Sequence, residues 1–219
     1  MITVEDLKKR EDISVYIQRA DDCLSQLGFT EHSFPHVVRV SKLAGSILKK
    51  LGYSQREIEL AEIAGYLHDI GNVVNRIEHA QSGAVMAFRI LDKMNMDARD
   101  ISVVVSAIGN HDEGTAFPVD AVSAALILAD KSDVRRARVR NKDLTTFDIH
   151  DRVNYSAINS ALNVNVESKE ILLTLEIDGH YSSIMDYFEI FMERMLLCRK
   201  AAEKLNMKFK LSINGQQLL

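Results

Sequence analysis

Seven histidines stand at positions 32, 36, 68, 79, 111, 150 and 180. Four of them fall where helix ends are expected. His68 is followed directly by Asp69 in Gly65-Tyr-Leu-His-Asp-Ile-Gly71, at the close of an apolar run. His36 opens one amphipathic stretch, His79 opens another, and His111 closes a third. Asp130 follows the apolar run Ala124-Ala-Leu-Ile-Leu-Ala129. Helix ends gather at the mouth of a bundle, so these scattered side chains can converge there. Imidazole and carboxylate donors suit zinc, iron, manganese or nickel and show no preference for a thiolate-seeking metal. Neighbouring helix positions point about 100° apart. His68 can therefore bind one ion while Asp69 reaches sideways to a second.

A second chemistry-bearing stretch is Lys131-Ser-Asp-Val-Arg-Arg-Ala-Arg-Val-Arg-Asn-Lys142, with six basic residues against one acid. Guanidinium forks match phosphate oxygens. As a continuation of the helix that carries Asp130, the run puts Lys131, Arg135 and Arg138 on one side. Lys131 and Arg135 are the expected phosphate contacts; a solvated basic helix face is the competing reading. Asp133, in the same run, is a candidate proton carrier. Asp148-Ile-His-Asp-Arg-Val-Asn154 either lines a pocket or merely connects two parts of the chain. His32, His150 and His180 read as ordinary capping, surface or core histidines.

The elements that must hold these residues are mainly helical. Ile13, Tyr16, Ile17, Ala20, Leu24 and Leu27 recur at three- and four-residue spacing over 12–27, and Gly28 ends the run. Pro35 sits at the start of the next helix, which Gly52 closes. Ser54 with Glu57 is a capping-box signal for a third, running to about Gly71. Further helices are expected at about 80–94, 98–110 and 120–136. After about residue 160 the texture changes. Residues 163–167 and 171–177 alternate as a hairpin, 182–205 is helical, and 207–213 alternates again up to Asn214-Gly215. The expected architecture is a helical domain over 1–160 and a small α+β unit over 161–219. That unit is a three-stranded antiparallel sheet backed by one helix, with Tyr187, Phe188, Phe191, Met192 and Met195 as its core.

Composition bounds the partners. Lys plus Arg is 27, Asp plus Glu is 31, and the net charge is −4. Such a chain is poorly suited to coating nucleic acid, whose affinity for proteins comes from neutralised phosphates. No apolar run is long enough to span a membrane, and the first residues lack the apolar core of a secretory signal. Cys23 and Cys198 make no disulfide framework and read as reduced thiols of a cytoplasmic protein.

The string His36-x-x-Arg39-Val40-x-x-Leu43-Ala44, then Leu67-His68-Asp69-Ile70-Gly71, then Ala129-Asp130, resembles the HD superfamily of metal-dependent phosphohydrolases over about residues 15–140. The resemblance implies an HD-type bundle of five or more helices. It implies His36, His68, Asp69 and Asp130 as ligands of one divalent ion, with His68 and Asp69 at the catalytic centre. His79 and His111 resemble the additional ligands of members that hold two ions. The cofactor is then one or two divalent ions among iron, manganese, magnesium, nickel and zinc. Such an ion acidifies a bound water and polarises a phosphoryl oxygen. The implied activity is hydrolysis of a phosphate ester or anhydride of a nucleotide or other small phosphorylated metabolite, with a homodimer as one assembly. A nucleotide sensor without turnover and a di-iron oxygenase are the alternatives within the same fold. Alarmone hydrolases carry Glu-Asp shortly after His-Asp, where this chain has Ile70-Gly71-Asn72-Val73-Val74. Cyclic-dinucleotide hydrolases carry a Gly-Tyr-Pro signature, and none follows His111 here. Dinucleoside tetraphosphate hydrolases remain compatible.

Overall fold

The computed structural model describes residues 1–219. The helices are α1 (Val4–Lys8), α2 (Glu11–Gln26), α3 (Phe34–Lys50), α4 (Gln55–Leu67), α5 (His79–Lys93), α6 (Ala98–Gly109), α7 (Ala121–Lys131), α8 (Ile149–Ser156) and α9 (Ile184–Lys204). The strands are β1 (Ala157–Asn165), β2 (Glu170–Ile177), β3 (Lys208–Ile213) and β4 (Gln216–Gln217). Local signals set the boundaries. Ser54 and Glu57 close a reciprocal capping box on α4, and Asp120 with Ser123 does the same for α7. Gly28 and Gly52 take left-handed φ just beyond α2 and α3.

The bundle is built round α7, whose residues Val122 to Ala129 are all buried. A helix apolar all round belongs in a core, and α7 packs against α3, α4, α6 and α9. Two glycines bring the site together. A Cβ on Gly65 would stand 2.7 Å from the Ser41 Cα, so α3 and α4 can cross closely only because that position is bare. That crossing sets the start of α3, with His36, against the end of α4, with His68. A Cβ on Gly71 would collide with the His79 carbonyl oxygen and the Gly83 nitrogen. The turn after Asp69 therefore lies directly on the first turn of α5 and draws His79 in.

The C-terminal sheet differs from the expected one. It has four strands in the order β1-β2-β3-β4. β1 and β2 form the expected antiparallel hairpin, but β3 pairs with β2 in parallel, Ile171 opposite Phe209 and Leu173 opposite Leu211. The reason is α9. Parallel strands need a crossover of a dozen or more residues, usually a helix, and the 21 residues of α9 carry the chain back to the end from which β2 started. β4 is the short return of a turn at Asn214-Gly215, where both residues have positive φ. β1 also begins earlier than expected, so the 160/161 boundary falls inside a strand. One cluster of 52 buried apolar residues runs through both parts, and the bundle and sheet share a continuous core.

The other correction concerns the basic run. α7 stops at Lys131 instead of continuing to 136, and residues 132–142 turn, with a single 3-10 turn at Arg136–Arg138. The turn aims the Asp133 carboxylate back at His36. Helical spacing therefore does not relate Lys131, Arg135 and Arg138. No helix is long and apolar enough to cross a membrane.

Candidate metal centre and the adjoining cavity

His36, His68, Asp69, His79, His111 and Asp130 come together in the bundle interior, and the four imidazoles are all buried. Each imidazole is held from behind. His36 donates its Nδ1 proton to Asp133 Oδ2 at 2.8 Å, and His68 donates to the Gly65 carbonyl at 2.9 Å. His79 donates to the Arg76 carbonyl at 3.1 Å, and His111 to that of Ile108 at 2.6 Å. In the neutral imidazoles these acceptors fix the proton on Nδ1, so each Nε2 then presents a lone pair inward.

Those lone pairs face each other in two pairs. Nε2 of His36 lies 3.2 Å from that of His68, and Nε2 of His79 lies 3.2 Å from that of His111. Asp69 stands between the pairs and divides its oxygens. Oδ2 is 3.4 Å from His36 and 3.2 Å from His68, whereas Oδ1 is 3.5 Å from His79. Asp130 Oδ1 adds a further donor to the first pair, 3.4 Å from His36 and 3.7 Å from His68. Two neutral lone pairs at such a distance repel unless a cation lies near. The donor set, nitrogen and carboxylate oxygen with fixed tautomers, fits divalent first-row ions. His36, His68, Asp69 and Asp130 would hold one ion, and His79, His111 and Asp69 a second.

The electrostatics distinguish the pairs. Burial opposes charge on His68, but Asp69 and Asp130 outweigh it and raise its pKa to about 10. Burial likewise opposes charge on His36, together with Arg138, yet hydrogen bonds to Asp130, Asp133 and Asp69 shift it upward. A proton thus serves the first pair when no metal is there. His111 is pushed down to about 3 by burial and by the charges of His68 and Lys131. Burial lowers His79 too, although the Asp69 charge opposes this, and a guanidinium takes the proton's place: Arg76 Nη1 is 3.2 Å from His79 Nε2.

Lys131 is buried in an ion-pair chain. Its Nζ is 2.7 Å from Asp130 Oδ2 and 3.2 Å from Glu113 Oε2, and Glu113 Oε1 is 2.6 Å from Arg194 Nε on α9. Arg135 is half-buried and holds Asp133 Oδ1 at 2.6 Å. Both residues stand behind the donors, braced by acids. Asp133 is not placed for proton shuttling: its wholly buried carboxylate is taken by His36, Arg39 and Arg135.

A cavity of about 290 Å³ adjoins the donors without being lined by them. His32, whose ring centre is 5.4 Å from that of His36, forms part of its wall. Arg76, Arg138 and Arg194 line it as well, and so do Asp148, His150, Asp151 and Asn154 of the segment with two open readings. His180 lies elsewhere. Sequence reasoning set His32 aside and missed Arg76 and Arg194. His32, four residues ahead of His36 in the loop before α3, was the one signal available; Arg194 had none.

The helical bundle sets paired histidines about a shared aspartate, a donor set that could hold divalent ions. The profile of the HD domain family matches residues 34–152, more than half of the chain, and the protein belongs to that family. It is similar to ribonuclease Y of Enterococcus faecalis, 31% identical over 115 residues, which are 51% of this chain and 20% of that protein. Ribonuclease Y of Streptococcus pyogenes serotype M5 is 29% identical over 122 residues, 54% of this chain and 21% of that one. The chain thus spans about a fifth of the length of these curated relatives. A crystal structure of a predicted HD superfamily hydrolase from an uncultured Thermotogales bacterium is 25% identical, covering 61% of this chain and 75% of the other, with a TM-score of 0.46.

Proposed function

We propose that the protein is a metal-dependent phosphohydrolase cleaving a phosphate ester or anhydride of a nucleotide or another small phosphorylated metabolite. The observation that carries this reading is the split of Asp69 between two facing histidine pairs. His36, His68, Asp69 and Asp130, with His79 and His111, would hold divalent ions, which when bound would acidify a water and polarise a phosphoryl oxygen. The chain supplies the rest. Asp133 and three backbone carbonyls fix the imidazoles, Lys131 holds Asp130 by its outer oxygen, and Arg76 and Arg138 bring positive charge to the edge of the centre.

The complete donor set disfavours a sensor without turnover. The arginines at the cavity disfavour an oxygenase acting on a neutral polyol. The likeness to ribonuclease Y supports a second reading, cleavage of RNA phosphodiesters, which the acidic net charge opposes. Free Cys23 and Cys198 support a reducing compartment such as the cytoplasm.

The test is metal analysis of protein purified without chelator, followed by a panel of monoesters, anhydrides and a short oligoribonucleotide with manganese, iron, magnesium, nickel and zinc. Phosphate release from small substrates, abolished in His68→Ala, is expected. Cleavage of the oligoribonucleotide alone would establish the ribonuclease reading instead.

A further inference from the structure

We propose that the cavity beside the metal centre selects a single phosphate monoester on a hydroxyl-bearing body, of sugar-phosphate or mononucleotide size, and rejects polyphosphates and nucleic-acid strands through two rim carboxylates. The assignment of its inner end to phosphate rests on the phosphohydrolase reading.

The inner end is cationic. Arg138 is buried and fixed at two points, Nε donating to the Glu31 carbonyl and Nη1 to the Asp133 carbonyl, each at 2.8 Å. Its Nη2 is left uncommitted. Arg194 is ion-paired with Glu113, and its guanidinium lies 4.4 Å from the Phe191 ring centre, with both terminal nitrogens free of hydrogen bonds to protein. Arg76 reaches in beside His79. Three guanidinium groups, two of them pre-positioned by other contacts, suit one dianionic phosphoryl group.

The outer end has the opposite sign. Gly28, Phe29, Asp148 and Asp151 line both this cavity and a shallower cleft of about 460 Å³ outside it, so they mark its mouth. Asp148 Oδ1 caps α8 at the Asp151 nitrogen, and Asp151 Oδ2 accepts from Asn141. The other oxygen of each carboxylate has no protein donor. Such acceptors suit hydroxyl or amino groups and repel a further phosphate. Arg140, in the outer cleft, does not offset them, because it is ion-paired to Asp21. The cavity volume lies at the lower end of the usual range for small-molecule sites. A ligand continuing outward as a phosphate chain would meet Asp148 and Asp151 at the mouth.

The test is calorimetric binding to the full chain in chelator, so that nothing turns over. The probes are inorganic phosphate, glucose 6-phosphate, AMP, ADP and a short oligoribonucleotide. The two monoesters are expected to bind more tightly than inorganic phosphate, and AMP more tightly than ADP by about tenfold, roughly one repulsive charge contact. Whichever monoester binds better identifies the body as sugar or nucleoside. Arg194→Met should weaken both monoesters about tenfold, the loss of one charge-assisted contact. Asp148→Asn with Asp151→Asn should erase the AMP/ADP difference, a ratio that impaired folding would not change. The proposal is overturned if no monoester binds, if inorganic phosphate, ADP or the oligoribonucleotide binds as tightly as AMP, or if either variant is without its effect. Absence of hydrolysis with any metal would refute the phosphohydrolase reading and leave these isotherms unchanged.

Discussion

Asp133 accepts the Nδ1 proton of His36 at 2.8 Å, and both side chains are completely shielded from solvent. The carboxylate is three residues beyond Asp130 in sequence but on the far side of the imidazole. It fixes which nitrogen of His36 faces the other donors. Partners of this kind commonly contribute about 10- to 100-fold to metal affinity. Asp133→Asn should lower affinity at the first pair within that range, measured by competition with a chelating dye, while circular dichroism stays unchanged. Unaltered affinity would reduce Asp133 to a brace for Arg39 and Arg135.

The division of Asp69 predicts unequal losses of metal. Asp69→Ala should abolish binding at both pairs, His68→Ala should empty the first, and His111→Ala should cost one equivalent only. Elemental analysis after reconstitution reads the ratio directly. A wild-type ratio that never exceeds one under saturating metal would move His79 and His111 to handling of substrate.

Metal-free and metal-loaded protein should respond to pH in opposite senses. His68 is raised from 6.5 to about 10. The stability this contributes is fully present below pH 6.5 and is lost as pH rises through about 10. In chelator, the melting temperature should therefore decline across that window. Metal must displace the proton, so its affinity and the stabilisation it confers should rise over the same window. Parallel melting curves with and without metal would contradict this.

Arg76 competes with metal at the second pair, since its Nη1 lies 3.2 Å from His79 Nε2. Arg76→Ala should tighten binding of the second ion while weakening phosphate substrates through KM. The two effects separate in a metal titration at fixed substrate. A variant that binds the second ion no better would show that the guanidinium already swings clear.

Lys131 acts on the frame of the site. Lys131→Met leaves Asp130 Oδ2 and Glu113 facing each other in a buried setting. Removal of one partner from a buried ion pair costs about 3–5 kcal/mol, and denaturant unfolding should show a loss of that order. Unchanged stability with weaker phosphate binding would return Lys131 to the phosphate-contact role expected from sequence.

What the sequence disclosed was what lies at the ends of long apolar helices. His36, His68, Asp69, His79, His111 and Asp130 could be picked out because periodicity located α3 to α7 and the polar residues interrupted it. The cavity was hidden for a physical reason. Its walls come from the loop before α3, the turn before α5, the turn after α7, the short α8 and one face of α9, which meet only through tertiary packing. The end of α7 was illegible because Lys131-Ser-Asp-Val has no strong breaker; the pull of Asp133 toward His36 ends the helix there. The parallel pairing of β3 was available from the length of the segment between β2 and β3, which exceeds any hairpin connection.

That parallel pairing makes the site sensitive to chain length far from the metal donors. α9 must bridge a fixed distance between two strand ends, so its length and rotation are set together. Inserting or deleting one residue ahead of Arg194 would turn that side chain by about 100°, away from Glu113 and the cavity wall, even where the sheet closed again. Substitutions on the outer face of α9 should be freely accepted in homologous chains, whereas insertions and deletions within it should be rare.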